Sequence, residues 1–109
     1  GFDERVRKAE LVITGEGTLD GQSVFGKSTV AVARRARTAG VPVLAIVGGL
    51  GGGYEAVYDE GISAVVPVAP GPISLVESQQ RGAELVRAAT ERAFRMIALG
   101  QHAARTRRQ

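Results

Sequence analysis

Three short apolar runs, each followed by a loop and a helix-like segment, organise the chain. Glu10 to Thr14 (ELVIT), Val43 to Val47 (VLAIV) and Ile62 to Val68 (ISAVVPV) are nearly continuous and rich in β-branched residues. That is the pattern of strands buried on both faces of a parallel sheet. Proline cannot donate to a ladder, so the third strand is expected to end near Pro67 or to lie at an edge. Between the first two runs, Ser28 to Ala39 puts Val30, Ala33 and Ala36 on one helical face, with Gly40 placed as a C-terminal cap. Gly53 to Glu60 reads as a shorter helix stopped by Gly61. A last helix is predicted from Ser74, whose hydroxyl with Glu77 fits a capping box, to about Leu99 before Gly100. Its stripe Ala83, Val86, Ala89, Ala93 and Ile97 is expected to pack on the sheet.

The order β-α-β-α-β-α specifies an α/β fold. It is a three-stranded parallel unit, read as part of a doubly wound, flavodoxin- or Rossmann-like domain. Three strands leave two long edges to be paired or covered. Length and composition agree with one domain: 109 residues, 44% hydrophobic, no cysteine and no tryptophan. A disulfide scaffold and a cysteine zinc site are excluded. No run approaches the ~18 apolar residues of a membrane span, and the opening GFDERVRKAE is too charged for a signal peptide. A cytoplasmic, bacterial-type protein is expected.

Charge changes little. Arg105, Arg107 and Arg108 supply three of the fourteen basic residues, and the remaining eleven match eleven acidic ones. The body is neutral, which argues against a nucleic-acid partner. Residues 101–109 are expected to form a frayed basic tail after a folded segment, 1–100. His102, the single histidine, falls in that tail and is a poor general base.

Ligands of open parallel sheets bind beyond the carboxyl ends of the strands. There the sequence places Gly15-Glu16-Gly17-Thr18-Leu19-Asp20, the run Gly48 to Gly53, and Pro70-Gly71-Pro72. All three are expected to converge as loops on one edge of the sheet. In the first, Gly15 and Gly17 permit positive φ and close backbone approach. Glu16 and Asp20 could hold Mg²⁺, or one of them could take a proton from a substrate hydroxyl. Asp20 could equally do no more than accept backbone amides in a tight loop. Gly48 and Gly49 could admit a phosphate to the backbone or form a plain turn. Gly21 to Ser28 (GQSVFGKS) satisfies G-x-x-x-x-G-K-[ST], the phosphate-cradling P-loop pattern. A P-loop sets its first glycine directly after the strand, whereas six residues separate Thr14 from Gly21, so the match is read as fortuitous. The local feature stands regardless: Gly26-Lys27-Ser28 opens a helix, and a lysine beside a helix N-terminus attracts anions.

Ala9-Glu10-Leu11-Val12-Ile13-Thr14-Gly15-Glu16-Gly17, then Asp20, Gln22, Gly26-Lys27, Val32-Ala33, Val41-Pro42-Val43 and Gly71-Pro72-Ile73-Ser74-Leu75 together resemble the C-terminal part of the bacterial glycerate kinase (glycerate 2-kinase) family. The segment ITGEGTLDGQSVFGKS carries the specificity of the resemblance. Thr18 stands where a basic residue is frequent in the family, and Ser28-Thr29 where a small residue and proline are common. The resemblance implies a kinase using ATP and Mg²⁺ on glycerate or a similar small hydroxy acid. Asp20 and Lys27 would be catalytic, and Glu16 and Asp20 would hold the metal. Gly15, Glu16, Gly17, Gln22, Gly26, Gly48 and Gly49 would bind substrate or nucleotide. Such kinases are several times longer, so the isolated chain is expected to be inactive. Its partner would be the missing N-terminal part, or a second copy along a sheet edge. Two alternatives are a non-catalytic α/β module that folds or dimerises alone and a free-standing P-loop nucleotide binder.

Overall fold

In the computed structural model the described residues are 1–19, 27–69 and 71–108. They fall into two compact units, Gly1–Pro67 and Val68–Gln109. The first unit holds α1 (Phe2–Lys8), β1 (Val12–Leu19), α2 (Lys27–Thr38), β2 (Val43–Leu50), a 3-10 helix (Tyr54–Glu60) and β3 (Ala64–Pro67). The second holds α3 (Leu75–Gln80) and α4 (Gly82–Arg108). No helix among the described residues is long and apolar enough to cross a membrane.

The sheet is parallel throughout, in the order β1-β2-β3. The apolar runs place β2 in the centre, where Val43, Ala45 and Val47 are fully buried. They form one core cluster with Val6 of α1, Ala33 and Ala36 of α2, Val41, Val57 and Ile62. The charged opening of the chain does not predict α1, yet Val6 anchors it to that core. β3 ends at Pro67, opposite Val47, on an edge of the sheet, as proline dictates. Where the ladder begins, the Val43 N–H donates to Ser63 Oγ at 3.0 Å and Ser63 N–H to Val43 O at 2.8 Å.

Glycines punctuate this unit where the backbone turns left-handed. Gly40 (φ 73°) closes α2 in a Schellman arrangement, with Gly40 N–H to Arg37 O at 3.0 Å and Val41 N–H to Ala36 O at 2.9 Å. Gly53 (φ 77°) and Gly61 (φ 102°) bound the 3-10 helix. Arg34 of α2 ties that helix down through Glu60 at 3.0 Å, and Arg37 donates to the Asp59 carbonyl at 2.8 Å.

In the second unit, Ser74 caps α3 as its sequence predicts, Oγ accepting the Glu77 N–H at 3.0 Å. The single helix expected from Ser74 to Leu99 is instead broken at Arg81, which leaves helical geometry (φ −104°, ψ 16°). Arg81 then bridges the break, donating to Glu77 at 2.9 Å and Glu84 at 3.1 Å. α4 continues through Gly100 to Arg108, past the predicted stop and into the segment read as tail. Its flanking Ala98, Leu99, Gln101 and Ala103 are good helix formers, which offsets the cost of about 1 kcal/mol for one interior glycine. The buried stripe is also rotated from expectation. Leu85, Ala89 and Ala93 are buried, whereas Ala83 and Val86 are exposed.

Candidate functional site

The strand ends depart most informatively from the sequence reading. Gly15 to Leu19 and Gly48 to Leu50, expected as loops, are the carboxyl halves of β1 and β2. They run side by side in register: Gly15 faces Ile46, Glu16 faces Val47, Thr18 faces Gly49 and Leu19 faces Leu50. Glycine runs read as turns by propensity, but pairing to a strand already fixed by its buried half keeps the backbone extended. Along β2 burial stops abruptly: Val43 to Val47 are buried, then Gly48 and Leu50 are exposed and Gly49 half-buried. The two strands thus project beyond the core as a glycine-bearing ledge at the carboxyl edge of the sheet.

Gly15 does not use the positive φ that glycine permits. Among the described residues a Cβ there would meet only the Ile46 carbonyl, at 3.7 Å, an ordinary contact. Neither backbone conformation nor packing among the described residues therefore demands glycine at this position. Gly61 is the opposite case, with φ 102° and a hypothetical Cβ 2.7 Å from the Ala33 carbonyl.

Lys27 is the first residue of α2, as expected, and no acidic residue stands in that helix's first turn. A parallel sheet returns its crossover helix antiparallel to the strands, so this N-terminus lies at the carboxyl edge, beside the ledge. Its positive end is left without a carboxylate from its own first turn. Thr29, in the same turn, is buried. Asp20, Gln22 and Gly26 lie outside the described residues, as do the side chains of Glu16 and Lys27, and Pro70. Gly71 and Pro72 belong to the second unit.

The extension of β1 also alters the spacing of the P-loop pattern. With the strand ending at Leu19, Asp20 alone separates it from Gly21, and the helix opens on the Lys27 of the pattern. Strand, pattern and helix now follow in P-loop order. The six-residue gap counted from Thr14 therefore shrinks to one, and spacing no longer sets the pattern apart from a P-loop.

Elsewhere the chemistry is structural. A recess of about 350 Å³ lined by Arg7, Arg34, Arg35, Thr38 and Ala39 lies at the other end of α2. Arginines there complement the negative helix terminus, and Arg34 is already paired with Glu60. Among the described residues no group of three or more His, Cys, Asp or Glu is gathered for a metal. Among the described residues the shifted ionisations fall away from the ledge. Burial and the neighbouring Tyr54 push the Tyr58 hydroxyl up, and the hydrogen bond and charge of Arg81 hold the Glu84 carboxyl below its usual range.

Comparison with known proteins connects these features. Residues 1–98 match the model of a family described as the glycerate kinase family. A protein named "Glycerate kinase" from Halalkalibacterium halodurans is 48% identical over 98 residues, which are 90% of this chain and 25% of that protein. One of the same name from Bacillus subtilis is 39% identical over 105 residues, 96% of this chain and 26% of that protein. A "Glycerate 2-kinase" from Escherichia coli is 40% identical over 67 residues, 62% of this chain and 18% of that protein. The chain spans about a quarter of the length of the first two relatives.

Proposed function

The chain belongs to the glycerate kinase family, and from that premise we propose that it forms the C-terminal segment of an ATP-dependent kinase that phosphorylates glycerate or a similar small hydroxy acid. The observation that carries this reading is the ledge: two glycine-bearing strand ends beside a helix N-terminus that opens on Lys27. Phosphoryl transfer needs positioning and charge neutralisation more than covalent participation by the protein. Gly15 lets substrate approach the sheet where a side chain would otherwise stand. Gly17, Gly26 and Gly49 offer backbone amides, Gly48 leaves room for phosphate as Gly15 does for substrate, and Gln22 offers a side-chain amide. Lys27, with the helix N-terminus, holds the carboxylate or phosphate. Asp20 takes the proton as the substrate oxygen bonds to the γ-phosphorus and the bond to the departing ADP breaks.

Glu16 and Asp20 supply carboxylate oxygens in a stretch, residues 14–28, that has no Cys or His, a donor set suited to a hard cation such as Mg²⁺. When bound, Mg²⁺ neutralises phosphate charge. Alone, the segment is inactive, because three-quarters of the enzyme's length, and with it the rest of the cleft, lies elsewhere. The test is the full-length enzyme with Lys27→Ala and, separately, Asp20→Asn, in a coupled assay with glycerate and ATP. Each substitution should lower kcat/KM by about 100-fold or more, some 3 kcal/mol of barrier. Unchanged kcat/KM in Lys27→Ala refutes its role, and a loss below about tenfold in Asp20→Asn assigns that residue to loop structure.

The order of strand, G-x-x-x-x-G-K-[ST] pattern and helix favours a second reading of the same lysine. In it, residues 21–28 cradle nucleotide phosphates and Lys27 reaches the β/γ-phosphates of ATP rather than glycerate. Titrating ATP into the enzyme without glycerate separates the two. Nucleotide affinity lost on Lys27→Ala supports the P-loop, whereas affinity retained with a raised KM for glycerate supports the hydroxy-acid contact.

A further inference from the structure

The sheet's two edges are unequal, and the backbone pattern shows by how much. In a parallel strand the N–H and C=O of one residue point to the same side, and the side alternates along the chain. Val12 N–H donates to Pro42 O at 2.9 Å, so Val12, Thr14, Glu16 and Thr18 turn their backbone groups toward β2. Ile13, Gly15, Gly17 and Leu19 therefore turn theirs to the open edge. On the far side, Leu44 and Ile46 turn their backbone groups to β1, so their register partners Ala64 and Val66 bond the β2 residues on either side of them and face β2. β3 is left with Val65 and Pro67 on its open edge, and proline has no N–H to offer. One edge thus offers twice as many residues' backbone groups as the other.

The β1 edge also carries few of the features that keep an edge from pairing, Glu16 being its one charged residue. Val12–Leu19 contains no proline and no lysine. Ile13 is 42% exposed, although its register partner Leu44 is 6% exposed. An exposed Ile on the face of an edge strand, in the apolar half whose outward backbone groups have no strand partner among the described residues, fits a sheet that continues.

We infer that the β1 edge, and not the β3 edge, is where the sheet continues, and that its occupant is an apolar strand from the part of the enzyme outside this chain, paired with the backbone groups of Ile13 and Gly15. The inference rests on the reading of the chain as a segment of a larger enzyme. The relatives it matches are about four times its length, so such a strand has ample chain to come from. The added strand stops short of Gly17, which leaves the end of the ledge to ligand.

Residue-resolved hydrogen exchange on the substrate-free, full-length enzyme tests this. The Ile13 and Gly15 amides should exchange ~100-fold or more slowly than in an unstructured peptide, matching Val12 and Thr14, and should do so at protein concentrations where sedimentation shows a monomer. Free exchange at Ile13 and Gly15 beside protected Val12 and Thr14 overturns the proposal. Protection present only in a dimer also overturns it, in favour of a second copy of the chain. Glycerate phosphorylation is scored separately. An active enzyme with an open edge sinks the edge assignment alone, and a protected edge without glycerate turnover sinks the functional reading alone.

Discussion

The amino and carboxyl halves of the β1–β2 pair follow different rules within one continuous ladder. In the first half, side chains decide: Val43, Ala45 and Val47 are fully buried against Ala33, Ala36 and Val57. In the second half, side chains thin out to Gly15, Gly48 and Gly49, and burial gives way to exposure while pairing persists. The first half accounts for its own sequence by packing. The second keeps strand geometry with residues poor at forming strands, and a sequence that weakens its own element without structural gain points to a function outside it.

Two glycines make the contrast measurable. Gly61→Ala should produce the larger stability effect, because a side chain must enter at φ 102° with its Cβ 2.7 Å from the Ala33 carbonyl. Backbone strain and overpacking together predict a loss of about 3 kcal/mol in urea unfolding. A loss below about 1 kcal/mol would mean that the contact between α2 and the 3-10 helix relaxes easily, and the distinction between the glycines would blur.

Gly15→Ala is the counterpart. Its Cβ would sit 3.7 Å from the Ile46 carbonyl in extended backbone, so stability should change by no more than about 0.5 kcal/mol. The kcat/KM of the full-length enzyme for glycerate should nevertheless fall about tenfold, or some 1.4 kcal/mol of barrier. Equal activity in the two proteins would show that the missing side chain serves nothing at the ledge.

The apolar runs made the α/β class and the parallel strands legible, because an unbroken β-branched run of this length fits a doubly buried strand better than a helix or a loop. Capping at Ser74 and Gly40 was legible for the same local reason, a hydroxyl or a glycine at a helix boundary. Strand ends were not, since Gly15 to Leu19 and Gly48 to Leu50 are held extended by each other and not by propensity. The phase of α4 escaped because small alanines give a weak periodic signal. Leu85, with Ala89 and Ala93, marks the buried face one residue away from the predicted Val86. Of the candidate site, Lys27 was legible at its helix start, and the glycines were found but assigned to loops. Asp20, Gln22 and Gly26 lie outside the described residues.

Outside the sheet, the Arg81 junction between α3 and α4 is held by charge rather than by burial, which sets a smaller and pH-dependent scale against which to read the glycines. Arg81 binds Glu84 at 3.1 Å and Glu77 at 2.9 Å, and its hydrogen bond and charge lower the Glu84 pKa below the usual carboxylate value. A carboxyl whose folded pKa is depressed stabilises the fold above its unfolded pKa and loses that contribution as pH falls through the folded value. The pair is solvent-exposed, so the effect is a minor one that salt screens. Glu84→Gln should therefore differ from the parent most at neutral pH, the difference closing as pH drops from about 5 toward and below the usual Glu value of about 4.3. Unfolding midpoints across that range at low and high salt provide the measurement. A difference constant from neutral to acid pH, or insensitive to salt, would assign the effect of Glu84 to helix propensity in the first turn of α4 rather than to its pairing with Arg81.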